Sequence, residues 1–328
     1  MNNSLLTYTG SLLLDGKYIV SPYGVSKEQL CGDISPLRMP MIHNNAIINI
    51  SFDYSKIKSL SVINGLGVTL GDSVIGISAL HAIKNINPNI VISVIRPENC
   101  PNYVNEIYTL TNSIINEIHF MPFDITNAAE SELIIDIGNQ LYWEDFNKWE
   151  MHDFFLRNLG LEHDFIPVEF KSNSWLKNST LDDNNLGEYV LFCPHASTKI
   201  RSIPQQYHRK IISELSDKFK VKVLGFSDVH HKNYTNITEL SKSTACFASI
   251  IKHAKYLYTC DSSALHIGAG FNIPTTCIFT TVKPEFRSLY YPHCESVYIG
   301  NDKTEGIHNS EDITLVNTIC KEFEVYYA

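Results

Sequence analysis

The first half of this chain is short of basic residues. Residues 1–164 hold 9 Lys+Arg against 18 Asp+Glu, and residues 165–328 hold 17 of each, so the whole net charge of -9 lies in the first half. A surface for duplex nucleic acid needs a basic footprint, which disfavours duplex DNA or RNA as a partner. No Cys-x-x-Cys pair occurs among Cys31, Cys100, Cys193, Cys246, Cys260, Cys277, Cys294 and Cys320. That argues against a zinc ribbon or a thioredoxin-type site. Cys193 and Cys277 lie in apolar runs, VLFC and TTCIF, and read as buried thiols of a reducing compartment. The opening MNNSLLTYTGSLLLDGKYIV lacks a basic segment followed by a long apolar one, so no signal peptide is expected. No run approaches the roughly 18 apolar residues of a membrane-spanning helix. A cytoplasmic protein is expected, with peripheral membrane contact left open. A hydrophobic content of 44% with 19% charge excludes disordered, collagenous and coiled-coil classes. A length of 328 residues suits about two domains.

What is present is a repeated alternation of short apolar strands and amphipathic helices. Residues 1–57 come first and are rich in turn formers. Residues 12–14 and 18–20 flank Asp15-Gly16 and read as a β-hairpin, because Asp-Gly favours a tight turn. Residues 46–52 are expected to add a strand to this β-rich extension. Regular α/β alternation starts near Leu60. A strand at 60–63 leads into the glycine loop Gly65-Leu66-Gly67-Val68-Thr69-Leu70-Gly71-Asp72, and residues 74–84 carry helical spacing. Residues 90–95 are β-branched and nearly continuous, as a buried parallel strand should be. Shorter strands are expected at 118–121 and 133–137, and a helix at 149–159.

Residues 166–187 are polar and read as a linker. The second series places strands at 189–193, 221–225, 256–259 and 275–279. Helices are expected from Pro204 to about 219, then at 244–253, 262–271 and 313–326. Residues 58–165 and 188–328 thus read as two doubly wound α/β domains facing a cleft, the last helix free to pack back on the first domain. Ligands belong at the carboxyl ends of the strands.

Three constellations could carry chemistry. Gly71-Asp72 opens a helix after a strand, where the carboxylate could serve as a general base or merely as the helix N-cap. Pro194-His195-Ala196-Ser197-Thr198-Lys199-Ile200-Arg201-Ser202-Ile203-Pro204 lies between a strand and a helix, and its hydroxyls and cations suit a diphosphate. The competing reading is a polar loop with solvated cations. It is no P-loop, because Lys199 lacks the required glycine frame. Cys260-Asp261-Ser262-Ser263-Ala264-Leu265-His266 again joins a strand to a helix. Its first-turn amides could cradle phosphate, or Asp261 could cap the helix over a core histidine. Weaker features read as solvated or packed: His230-His231, Glu144-Asp145, Asp182-Asp183 and Tyr290-Tyr291-Pro292-His293. No Asp-x-Asp stands where metal-dependent sugar transferases hold manganese.

Taken in order, these three constellations resemble glycosyltransferase family 9, the ADP-heptose:lipopolysaccharide heptosyltransferases, over about residues 58–325. Leu70-Gly71-Asp72-Ser73 with Ala79-Leu80 matches the first family motif. Pro194-His195-Ala196-Ser197-Thr198 with Arg201-Ser202-Ile203-Pro204 matches the second, Arg201 replacing the usual Lys and Ile203 the usual Trp. Asp261-Ser262-Ser263-Ala264-Leu265-His266-Ile267-Gly268-Ala269 matches the third, Ser263 replacing Gly. Thr280-Thr281 stands where Gly-Pro-Thr is usual, and residues 1–57 have no counterpart in the shorter members.

The resemblance implies a GT-B fold and an inverting, metal-independent transfer from a nucleotide-diphosphate sugar, ADP-heptose above all. The acceptor would be a hydroxyl of a glycan such as lipopolysaccharide core. Asp72 would be the base. Ser197, Thr198, Arg201, Ser262, Ser263 and His266 would hold the donor phosphates. Asp261 would orient sugar hydroxyls and Asp228 the ribose. Two other readings stay open: the same fold glycosylating a protein or a hydroxymethylated nucleic-acid base, and a non-catalytic scaffold that binds a nucleotide or glycan.

Overall fold

The computed structural model describes every residue except 1, 2, 28–30, 112 and 308. The chain divides into two compact units, Met1–Lys171 and Ser172–Ala328.

In the first unit the expected hairpin forms. β1 (Leu12–Leu14) pairs antiparallel with β2 (Tyr18–Val20), and Asp15 and Gly16 take the left-handed conformation that closes the turn. β3 (Ile34–Pro36) flanks β1. The strand expected at 46–52 does not form. Asn44 and Asn45 turn that segment instead: their side-chain oxygens accept from the backbone N–H of Ala46 and Ile50 at 2.9 and 3.0 Å. Ile47 and Ile48 stay exposed. The strand lies just upstream, β4 (Ile42–His43), at the edge of a parallel sheet.

That sheet also holds β5 (Ser59–Ile63), β6 (Val91–Pro97) and β7 (Glu117–Met121). Then β8 (Phe123–Asp124) returns to pair with β2, and β9 (Leu133–Asp136) re-enters the parallel sheet, in the order β4-β9-β5-β6-β7. Ile19 and Leu37 of the N-terminal segment share one core with Ile63, Ile95 and Ile134 of the sheet. The head is therefore packed on the sheet by apolar burial, the dominant favourable term in folding.

The second unit is a six-stranded parallel sheet ordered β12-β11-β10-β13-β14-β15. These strands are β10 (Tyr189–Cys193), β11 (Lys222–Gly225), β12 (Tyr234–Asn236), β13 (Tyr256–Cys260), β14 (Thr275–Phe279) and β15 (Cys294–Tyr298). Counted from β10 the order is 3-2-1-4-5-6, the doubly wound arrangement, with its switch point between β10 and β13. Both strands are mostly buried, as parallel strands covered on two faces should be. The Gln205–Phe219 helix and the terminal Ile313–Tyr327 helix contribute Ile211, Ile212, Ile319 and Phe323 to the core beneath β10.

The polar stretch 166–187 is more ordered than a solvated linker. It holds the short turns of helix Val168–Lys171 and Ser174–Asn178, and Trp175 and Leu176 are buried. Leu176 reaches the second unit's core through Gly270, where any added Cβ would lie 2.6 Å from its Cδ1.

Candidate donor and acceptor sites

In the first unit the switch point lies between β5 and β9, and the glycine loop leaves β5 there. Asn64, Leu66 and Gly67 all have positive φ. Leu66 fits because Gly76 of the following helix carries no side chain: a Cβ there would meet Leu66 Cβ at 2.8 Å. From below, Arg96 clamps the loop. Its Nη1 donates to the carbonyls of Gly65 at 2.6 Å and Gly67 at 3.2 Å and to the Tyr108 hydroxyl, and its guanidinium lies 3.9 Å over the Tyr108 ring. This fully buried cation was not singled out from sequence, since nothing local marks it.

The helix begins earlier than expected, at Leu70 (Leu70–Ile86), and its N-cap is Thr69. Thr69 Oγ1 accepts from the Asp72 N–H at 3.4 Å. The reading of Asp72 as the N-cap is thereby corrected: it sits in the first helical turn, partly exposed, with its carboxylate over Gly67. A Cβ at Gly67 would meet Asp72 Cβ at 2.8 Å and Gln140 Nε2 at 2.7 Å. Gln140, on the loop after β9, was also missed from sequence.

In the second unit the two candidate loops leave neighbouring strands at the β10/β13 switch point, which is why they meet. The loop after β10 is braced internally. Ser202 Oγ donates to the Thr198 carbonyl at 2.8 Å and accepts from the Ala196 N–H at 3.0 Å, and Ile203 N–H reaches the Pro194 carbonyl at 2.9 Å. Arg201 crosses to the other loop. Its Nη2 donates to the Asp261 carbonyl at 2.7 Å and lies 3.2 Å from Asp261 Oδ2, while Nη1 is 3.5 Å from Ser197 Oγ. Lys199 turns outward toward Glu311 at 4.0 Å.

The N-cap of the Ser263–Gly270 helix is Ser262 rather than Asp261, and no side chain caps it. Ser262 Oγ instead lies 3.3 Å from Thr259 Oγ1. The first-turn amides are left uncapped by Ser262 and stand beside Arg201, a pairing of helix terminus and cation that suits an anion.

Asp261 is buried and bonded to Arg201, so its Oδ2 serves as a strut for the guanidinium. His266 is buried and lies 2.7 Å, through Nδ1, from the Tyr291 hydroxyl, which also accepts from Asn173 Nδ2 at 2.9 Å. The Tyr291 hydroxyl links His266 to Asn173 inside the second unit. Tyr291 is thus a packed residue rather than a stacking platform. Asp228 is exposed, three residues past β11. Thr198 caps the short Lys199–Arg201 turn. Burial pushes the Cys260 thiol up to about 12 and holds His195 below the usual imidazole value, so neither offers a charged group at neutral pH. Among the described residues no group of three His, Cys, Asp or Glu is placed to hold a metal ion, and no helix is long and apolar enough to cross a membrane.

No family model and no curated protein matches this sequence. Solved structures do match its fold. E. coli ADP-heptose lps heptosyltransferase II aligns with a TM-score of 0.52 at 12% identity, over 83% of this chain and 100% of that one. E. coli heptosyltransferase WaaC with ADP aligns at 0.50 and 12%, over 82% and 100%. A glycosyl transferase of family 9 from Veillonella parvula aligns at 0.53 and 11%, over 85% and 97%. Two parallel doubly wound sheets, with this strand order and these neighbours, give the chain the GT-B fold of the family 9, heptosyltransferase-like glycosyltransferases.

Proposed function

We propose that this chain is an inverting glycosyltransferase that moves a sugar from a nucleotide-diphosphate donor to a hydroxyl of a glycan. ADP-heptose is the donor that the names of its structural neighbours favour. The observation that supports the reading lies in the second unit: Arg201, Ser197 and the Ser262 helix terminus, which its own side chain does not cap, converge at the β10/β13 switch point, an arrangement that suits a diphosphate.

The reaction exchanges one C–O bond for another at the anomeric carbon. The acceptor oxygen attacks, the bond to the diphosphate breaks, and configuration inverts. Asp72 takes the acceptor's proton. Negative charge grows on the leaving diphosphate, and Arg201 with the amides of Ser263 and Ala264 is placed to stabilise it. Ser197 and Thr198 add hydroxyl donors, and His266 is assigned to the phosphates. Asp261 holds Arg201 in position, and Asp228 is assigned to the ribose. With the leaving charge met by a guanidinium and a helix terminus, the mechanism needs no metal. The acid excess of residues 1–164 favours a neutral or cationic acceptor over a polyanion.

Thermal-shift titration with ADP-, UDP-, GDP- and CDP-sugars tests the donor. ADP-heptose is expected to raise the midpoint most, because ligand that binds only the folded state stabilises it by mass action. No shift with any nucleotide sugar would contradict the reading.

A further inference from the structure

We propose that the Gln140 carboxamide is an acceptor-binding group, gripping hydroxyls next to the one that Asp72 deprotonates. This rests on the glycosyltransferase reading and deepens it. Gln140 is 6% exposed, and neither its Oε1 nor its Nε2 has a hydrogen-bond partner. Burying a carboxamide without partners is unfavourable, so a position that keeps one calls for a reason.

Disorder of the loop is not that reason. Gly138 N–H donates to Asp136 Oδ1 at 2.9 Å, and Gly138 O accepts from Trp143 Nε1 at 2.8 Å. Asn139 Nδ2 donates to the carbonyls of Leu6 and Tyr8 at 3.0 and 2.7 Å. The Gln140 carbonyl itself accepts from the Trp143 N–H at 3.0 Å. The backbone is fixed on both sides of a side chain whose amide is left unsatisfied.

Its surroundings point to a ligand. The amide lies at the β5/β9 switch point, where open α/β sheets bind their ligands. Gly67, at φ +78°, lets Gln140 Nε2 and the Asp72 carboxylate both come close to its backbone: a Cβ there would lie 2.7 Å from the one and 3.1 Å from Asp72 Oδ2. A carboxamide offers a donor and an acceptor side by side without charge. That matches a pair of sugar hydroxyls, each of which can also donate and accept. It does not match a phosphate, which offers acceptors alone.

The test is Gln140→Leu, with Gln140→Met as a second variant of matching length. Both are assayed with ADP-heptose as donor and a lipopolysaccharide core oligosaccharide as acceptor. The expected result is a rise of about tenfold or more in the acceptor KM. The donor KM should hold, and the thermal midpoint should be equal or higher because an unpaired amide has gone. An unchanged acceptor KM in both variants would overturn the proposal, as would a lowered midpoint with acceptor and donor KM shifted alike. Wild-type protein is measured first: if it consumes no ADP-heptose, the ADP-heptose reading on which this inference rests fails, an outcome distinct from an unchanged acceptor KM.

Discussion

At the residue scale, Arg201 is the side chain on which the donor assignment turns, and its partner Asp261 makes it testable. Their contact is an ion pair with an added hydrogen bond to the Asp261 carbonyl, and the aspartate side chain is nearly inaccessible. Removing one member of a buried pair leaves the other charge uncompensated. Arg201→Ala is therefore expected to lose about 3 kcal/mol of stability. Adding Asp261→Asn should restore most of it. Nucleotide affinity should fall roughly 10- to 100-fold in both, since the proposed charged hydrogen bond to phosphate is gone from each. Urea unfolding and calorimetric titration with ADP read the two effects separately. Recovery of affinity along with stability would show that Arg201 acts on the fold and not on the phosphate.

At the element scale, the N-terminal head is tied to the parallel sheet through Asp136, the last residue of β9. Its carboxylate accepts from the Ser11 N–H at 2.7 Å, Ser11 Oγ at 2.8 Å and the Gly138 N–H at 2.9 Å. Burial outweighs these bonds and holds the carboxyl above its ordinary value of 3.8. A raised carboxyl binds its proton more tightly folded than unfolded. Its contribution to stability is then full below pH 3.8 and is lost as pH climbs through the raised value. Asp136→Ala leaves three donors unmatched and is expected to destabilise by about 3 kcal/mol. Asp136→Asn should flatten the pH dependence in that range. Denaturant unfolding across a pH series checks both, and an unchanged midpoint for the alanine variant would count against the tie.

The same scale shows what sequence patterning can and cannot reach. β10 and β14 were legible to the residue, because a parallel strand buried on both faces reads as a continuous apolar run. β12 and β15 lie at the sheet's edges, where Tyr-Thr-Asn and Cys-Glu-Ser-Val-Tyr carry no such run. The strand expected at 46–52 failed because two asparagine side chains outcompete sheet bonding locally. Asp72, Arg201 and Asp261 could be picked out because each follows a legible strand. Arg96 and Gln140 could not, because what sets them apart is their contact with the distant glycine loop, Gly65 and Gly67 for Arg96 and Gly67 for Gln140.

At the scale of the whole molecule, the proposed roles fall on different units, and so does the charge. The acid excess belongs to the half that carries Asp72 and Gln140, and the balanced half carries Arg201 and the Ser263–Gly270 helix terminus proposed to meet the diphosphate. The fold is shared with heptosyltransferases, while the donor and the base are assignments to individual side chains. The most direct test of the account is Asp72→Asn, measured for ADP affinity and for ADP release from ADP-heptose with acceptor present. The account predicts ADP affinity within error of wild type and turnover reduced by about 10²- to 10⁴-fold, the usual contribution of a positioned general base. Turnover near the wild-type rate would contradict it.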